Sequence, residues 1–269
     1  MLRHKSIKML LYFNRNMLES SFIHLERFGK RRENALWSSG ILKWKDFLNA
    51  DNIRGISQRY KSYYDEEIKR SFIALRERDA KFFSRVFPSD EAWRLLKTFK
   101  SDAVYLDIET SVYYGDITII GLYDGESVVT FVKGYNLNRQ NLIQALKDFK
   151  LIITFNGSCF DIPIIKRKFG NVFPEAPHLD LRFACSRLGL RGGLKKIERI
   201  LDIEREEEVK GIVGADAVYL WEMYNSTRKK EYLKNLIAYN KADIVNLEPI
   251  AEFCYQRLKL QTFDSIKKR

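Results

Sequence analysis

The chain has 269 residues, 45% of them hydrophobic and 13% aromatic, enough to bury one sizeable core with length left for a small accessory unit, so a globular protein is expected. Its 47 Lys and Arg against 35 Asp and Glu leave a net charge of +12, which favours an anionic partner, nucleic acid before a membrane surface, although a basic but otherwise ordinary soluble protein carries such a charge too. Three cysteines, far apart and without any C-x-x-C pairing, suggest neither a zinc site nor a disulfide framework, and a cytoplasmic location fits them best.

Residues 1–16 read as a loose basic extension. Their only apolar run, Met9 to Phe13, is too short for a signal-peptide core or for the roughly 20 residues that cross a bilayer, so no membrane association is expected. A second methionine, Met17, precedes the first patterned segment and is an alternative start. Residues 17–100 form a helical, basic accessory region. Phe22 to Leu25 leads through Gly29 into Glu33 to Trp37, then Gly40 and Trp44 to Leu48, which predicts two or three short helices with Gly40 as a C-terminal cap. The arrangement resembles a helix-hairpin-helix element, in which a glycine turn offers backbone N–H groups to a phosphate, but Arg27-Phe28-Gly29-Lys30 lacks one of the glycines usual there. A plain helical packing module explains the segment equally well. His24, alone in an apolar run, reads as a packed residue. Glu66 to Phe87 reads as one amphipathic helix stopped by Pro88, its cations facing either solvent or a phosphate backbone.

Residues 101–258 change pattern. Ala103 to Glu109 reads as a largely buried strand; Asp116 to Tyr123 and Ser127 to Val132 follow, joined by an Asp124-Gly125 turn. A helix capped by Asn138, a strand at Leu151 to Phe155, a helix at Phe160 to Phe169 and a short strand at His178 to Leu181 complete a mixed five-stranded sheet flanked by helices. Lys230 to Glu248 is a continuous helical pattern, and 259–269 reads as a basic tail.

Three pieces carry acids suited to metal chemistry. Asp107 and Glu109, two apart at the end of a strand, share one face of the pleat, where a divalent cation relieves their repulsion; alone, such a pair is more often a solvated strand end. Asp161 opens a helix just after the polar turn that ends a strand, where α/β active sites collect, although a first-turn acid that complements the helix dipole looks the same. Tyr239 and Asp243 stand one turn apart on one helix face, and the tyrosine taken singly reads as core. Their joint order and spacing raise the functional reading above the bland ones.

With Phe155-Asn156-Gly157, Phe160-Asp161, His178-Leu179-Asp180-Leu181, Gly192-Gly193-Leu194-Lys195 and Tyr239-Asn240 with Asp243, the sequence resembles the DEDD exonucleases of the DnaQ-like superfamily over about 102–250. Tyr239 places it with the tyrosine subclass (DEDDy), and it looks most like the YprB-type proteins. The resemblance implies an α/β ribonuclease-H-like fold. It also implies 3′–5′ phosphodiester hydrolysis with two divalent metal ions, Mg²⁺ or Mn²⁺, held by Asp107, Glu109, Asp161 and Asp243, while Tyr239 orients the attacking water. A single-stranded DNA or RNA end is the expected partner. Candidate substrate contacts are Thr110, Asn156, Phe160, Lys195 and Lys196, although Phe160 also reads as the core anchor of its helix. Asp180 reads as a structural cap. The rival reading is a catalytically idle nucleic-acid-binding scaffold of the same fold.

Overall fold

The computed structural model describes residues 16–111, 116–206, 211 and 214–267. The proposed N-terminal extension therefore falls outside the described residues except for Asn16, whose amide bonds Thr98 Oγ1 at 3.0 Å.

The chain enters through four helices, α1 (Lys30–Ser38), α2 (Trp44–Asn49), α3 (Gln58–Arg76) and α4 (Ala80–Val86). Gly40, at φ +93°, follows the last turn of α1, and the Ile41 N–H reaches back to Leu36 O at 3.0 Å, so the expected glycine stop is present. The expected single helix over 66–87 is instead two. Arg78 takes a left-handed conformation (φ +52°), and the Asp79 carboxylate accepts the Phe82 N–H at 3.0 Å, which starts α4 as a new helix. In the hairpin-like turn the left-handed residue is Arg27 (φ +59°), whereas Gly29 sits at φ −92° as the N-cap of α1. The glycine thus contributes none of the turn geometry that the hairpin comparison required.

Two 3₁₀ turns (Ser89–Leu95 and Lys100–Asp102) bracket the four-residue helix α5 (Leu96–Phe99) and lead into the sheet. Its strands are β1 (Ala103–Thr110), β2 (Ile117–Tyr123), β3 (Val128–Val132), β4 (Leu151–Thr154) and β5 (His178–Asp180), in the order β3-β2-β1-β4-β5. β1 pairs antiparallel with β2 and parallel with β4, so the mixed sheet expected from the sequence is present. Helices α6 (Arg139–Leu146) and α7 (Asp161–Phe169) follow β3 and β4. After β5 come α8 (Leu181–Arg187), α9 (Leu194–Ile200), α10 (Gly214–Thr227) and the long α11 (Lys230–Lys267).

Alternation along β1 sorts its side chains onto two cores. Val104, Leu106 and Ile108 pack with Leu142 and Leu146 of α6 and Ile165 of α7. Ala103 and Tyr105 face the other way, into a core shared with Leu247, Ile250 and Ala251 of α11 and with Trp37, Trp44 and Phe83 of the front helices. The front region and the sheet domain are therefore packed on one continuous apolar cluster.

α11 also alters the reading of the chain end. Pro249 lies inside it and forfeits one helix hydrogen bond without ending the helix. Residues 259–267, expected as a basic tail, continue the helix because Phe263 is buried, its ring 5.1 Å from that of Trp37, while Lys259 is buried with its ammonium over Tyr255. Charge alone suggested a tail; the apolar face of this last stretch holds it on the front helices.

Candidate metal centre

β1 extends past β4. Their pairing stops at Tyr105 with Ile153, so backbone groups further along β1 lack a sheet partner on that side. Asp161, first residue of α7, supplies one: its Oδ1 accepts the Ile108 N–H at 3.1 Å, between the two acids of β1. On the other side, β1 and β2 run in register through Glu109 with Ile119 and then shift, so that Thr110 faces Ile117. Thr118 is passed over and its hydroxyl bonds Glu109 O at 3.0 Å. Such a bulge re-aims the strand end that carries Glu109 and Thr110.

α11 crosses this strand end and brings Asp243 to it. Oxygens of Asp107, Glu109 and Asp243 lie within 4.8 Å of one another. Asp161, expected as an equal fourth, stands outside that trio because its Oδ1 is bound to β1, but its charge acts on Asp107 and Glu109. Tyr239, buried one turn before Asp243, faces the same acids: burial raises its hydroxyl pKa, and the charges of Asp243, Glu109 and Asp107 add to the effect.

The electrostatics are those of crowded anions. Burial, followed by the charges of Asp161, Glu109 and Asp243, holds the Asp107 carboxyl well above the usual range, with the Asn240 hydrogen bond pulling the other way. Burial and the Asp243 charge push Glu109 up to about 8, and burial pushes Asp161 up to about 7. Asp243 is raised by burial despite its bond from Arg205. Among the described residues Glu109 Oε1 is buried without a hydrogen-bond partner. Burying several like charges with an orphaned oxygen is costly unless cations compensate, and an all-oxygen donor set suits hard cations, so these residues fit divalent metal ions.

Around the acids lie polar residues to which the sequence assigned no role: Asn240 appeared there only within the motif that carries the resemblance, and Gly121, Arg205, Glu198 and Asn246 gave no signal. Asn240 Nδ2 donates to Asp107 Oδ2 at 3.0 Å from the residue beside Tyr239. Gly121, opposite Asp107 on β2, makes room for it: a Cβ there would lie 2.0 Å from Asn240 Oδ1. Arg205, Glu198 and Asn246 form a buried polar group against Asp243. Asparagines on a helix and charges in an acidic run read as solvent-facing, and only the burial of their faces distinguishes them.

The candidate substrate contacts are distributed around this centre. Phe160 is not a core anchor: it is 42% exposed and lines a cleft of about 870 Å³ with Asn156, Arg182 and Gly193. Asn156 adopts a left-handed conformation (φ +69°), and its side-chain Oδ1 accepts from Arg182 Nη1 at 2.5 Å. Asp180 is structural, as its position suggested, accepting the N–H groups of Asn156 (2.8 Å), Ser158 (3.0 Å) and Arg182 (3.1 Å) and so fixing the turn before Asp161. The Lys195 ammonium lies 4.5 Å from the centre of the Tyr239 ring. Lys196 instead folds over Gly192, where a Cβ would meet its chain at 2.6 Å.

The sheet order, the helices on both faces and the acids at the end of β1 define a ribonuclease-H-like domain with a carboxylate centre. The chain belongs to the ribonuclease H superfamily, whose sequence profile matches residues 104–255. Two solved structures are similar to it, each at 18% identity with a TM-score of 0.40 over 65% of this chain. One, described as the apo form of a nuclease, is covered over 87% of its length. The other is Escherichia coli ribonuclease D, an exoribonuclease involved in structured RNA processing, of which the match covers 48%. No curated protein matches the sequence. Among the described residues no helix is long and apolar enough to cross a membrane.

Proposed function

We propose that the protein is a 3′–5′ exonuclease of the tyrosine subclass of DEDD enzymes, YprB-like, that hydrolyses phosphodiester bonds at a single-stranded DNA or RNA end in the cytoplasm. The observation that carries this reading is the gathering of Asp107, Glu109 and Asp243 within 4.8 Å, with Asp161 and Tyr239 facing the same acids, inside a ribonuclease H superfamily domain.

Asp107, Glu109, Asp161 and Asp243 would hold two divalent cations, which when bound supply an activated water near neutral pH and stabilise the leaving 3′ oxygen. The protein's own groups do the positioning. Asn240 fixes the Asp107 carboxylate through its 3.0 Å bond, and Asp161 ties α7 to the strand that carries the other two acids. Tyr239, its pKa raised, keeps its proton at neutral pH, so its hydroxyl orients the water rather than removing a proton from it. Phe160, exposed beside Asp161, offers a stacking face for a terminal base, worth about 1–3 kcal/mol. Lys195 lies beside Tyr239 for a phosphate, and Thr110 and Asn156 flank the acids along the chain. The front helices, on the same core, would be an accessory unit supporting the strand's approach.

The test uses 5′-labelled single-stranded DNA and RNA with Mg²⁺, Mn²⁺ or chelator, beside Asp107→Ala and Asp243→Ala. Stepwise shortening from the 3′ end, abolished by chelator and by either substitution, is expected. Product ladders indifferent to all three would sink the reading.

A further inference from the structure

Arg205 sits in an acidic run, Arg205-Glu206-Glu207-Glu208, and charged residues in such runs are ordinarily solvated. The fold turns it inward instead, leaving 8% of its side chain exposed. Its Nε and Nη2 grip Glu198 of α9 in a two-pronged pair at 2.8 and 2.7 Å, and the same Nη2 reaches Asp243 Oδ1. Glu198 Oε1 also accepts from Asn246 Nδ2 at 2.9 Å. Asn246 lies three residues beyond Asp243 on α11, so the contacts close a ring from Asp243 through Arg205 and Glu198 back to the helix that carries Asp243. The guanidinium also lies over the Tyr239 ring, 5.7 Å from its centre. Tyr239, Asp243 and Asn246 are spaced i, i+4 and i+7, one helix face against one arginine.

We propose that Arg205 is a positioning residue of the carboxylate centre, holding Asp243 and Tyr239 in the orientation that metal binding and hydrolysis need. This rests on the nuclease reading above. Two features favour positioning over simple neutralisation. Glu198 cancels the charge of Arg205, so the unit adds no net charge to a site that must attract cations, whereas a lone cation there would repel them. With one oxygen engaged by Arg205, Asp243 presents the other in a fixed direction, as carboxylates that ligate metals are commonly held by outer hydrogen bonds.

The charge balance supplies the experiment. Replacing Arg205 alone would change both geometry and charge, so the informative protein is the neutral double variant Arg205→Gln/Glu198→Gln, compared with wild type and with Arg205→Lys. Mn²⁺ binding is read by electron paramagnetic resonance, thermal stability without metal by calorimetry, and cleavage of a labelled oligonucleotide by kcat and KM. The expected result is a loss of Mn²⁺ affinity or of kcat in the double variant of about 10–100-fold, with KM for the oligonucleotide unchanged. Arg205→Lys should recover only part of the loss, because an ammonium cannot grip Glu198 in two prongs while reaching Asp243. Unchanged Mn²⁺ affinity and kcat in a folded double variant would overturn the proposal. If that variant does not fold, Arg205→Lys decides alone: wild-type affinity and kcat there would overturn it equally. A wild type that binds Mn²⁺ but cleaves no nucleic acid would remove the nuclease reading, and the affinity comparison would still decide the role of Arg205. A wild type that binds no Mn²⁺ would end both.

Discussion

Gly121→Ala tests how tightly the centre is built. Gly121 faces Asp107 across the β1–β2 ladder, and an added Cβ would meet Asn240 Oδ1 at 2.0 Å and Ile244 Cδ1 at 3.1 Å. Reaching ordinary contact requires the Asn240 amide to retreat by about 1.3 Å or more. That retreat carries its 3.0 Å bond to Asp107 beyond hydrogen-bonding range. Overpacking costs about 1–3 kcal/mol and the lost bond about 1 kcal/mol, against a gain of about 0.5–1 kcal/mol from replacing glycine in a strand. The net of about 1–3.5 kcal/mol corresponds to a fall in Tm of about 2–14 °C for a chain of this size. The assay is a double-mutant cycle with Asn240→Ala, followed by thermal unfolding and by cleavage rate. Asn240→Ala removes the obstructing amide, so Gly121→Ala should cost far less in that background, with a coupling of about 1–3 kcal/mol. Strictly additive effects would refute the steric account.

Two further outcomes concern pH. Burial, with the Arg94 charge second, lowers the His24 pKa from 6.5 to about 3, and the ring stacks on Phe87 at 5.3 Å. The folded state therefore keeps it neutral while the unfolded chain takes up a proton below pH 6.5. Its contribution is complete above 6.5 and shrinks as pH falls toward 3, by about 2 kcal/mol at pH 5. Urea unfolding at pH 7.5 and 5.0 should show wild type losing that much more than His24→Gln; a pH-independent difference would contradict it. The centre behaves oppositely. Glu109 is raised from 4.5 to about 8 and Asp161 from 3.8 to about 7, so the metal-free fold loses stability as pH rises from about 4 to about 8. Metal uptake at pH 6.5 should expel more than about one proton, and fewer at pH 9, where Glu109 and Asp161 are already ionised. Calorimetric titration in buffers of different ionisation enthalpy measures this, and equal proton release at both pH values would exclude the shifts.

The sequence by itself determined the sheet, because the apolar run of β1, buried on both faces, and the Asp124-Gly125 turn are local signals. It also pointed to Asp107, Glu109, Asp161, Tyr239 and Asp243 as candidates, through residue type, helix and strand period and the resemblance they carry, and the fold brings three of them, Asp107, Glu109 and Asp243, within 4.8 Å of one another. The break at Arg78 in what read as one helix depended on a left-handed residue and a cap whose pattern remains helical. Phe263 became helix rather than tail only through a partner, Trp37, more than two hundred residues away. Gly121 and Arg205 likewise acquired meaning only from what lies across from them, and so did the bond from Asn240 to Asp107. A residue's type and its neighbours in sequence set local conformation and ligand chemistry. Which polar side chain is buried, and against which carboxylate, is fixed by packing between distant segments, and that only the tertiary structure decided.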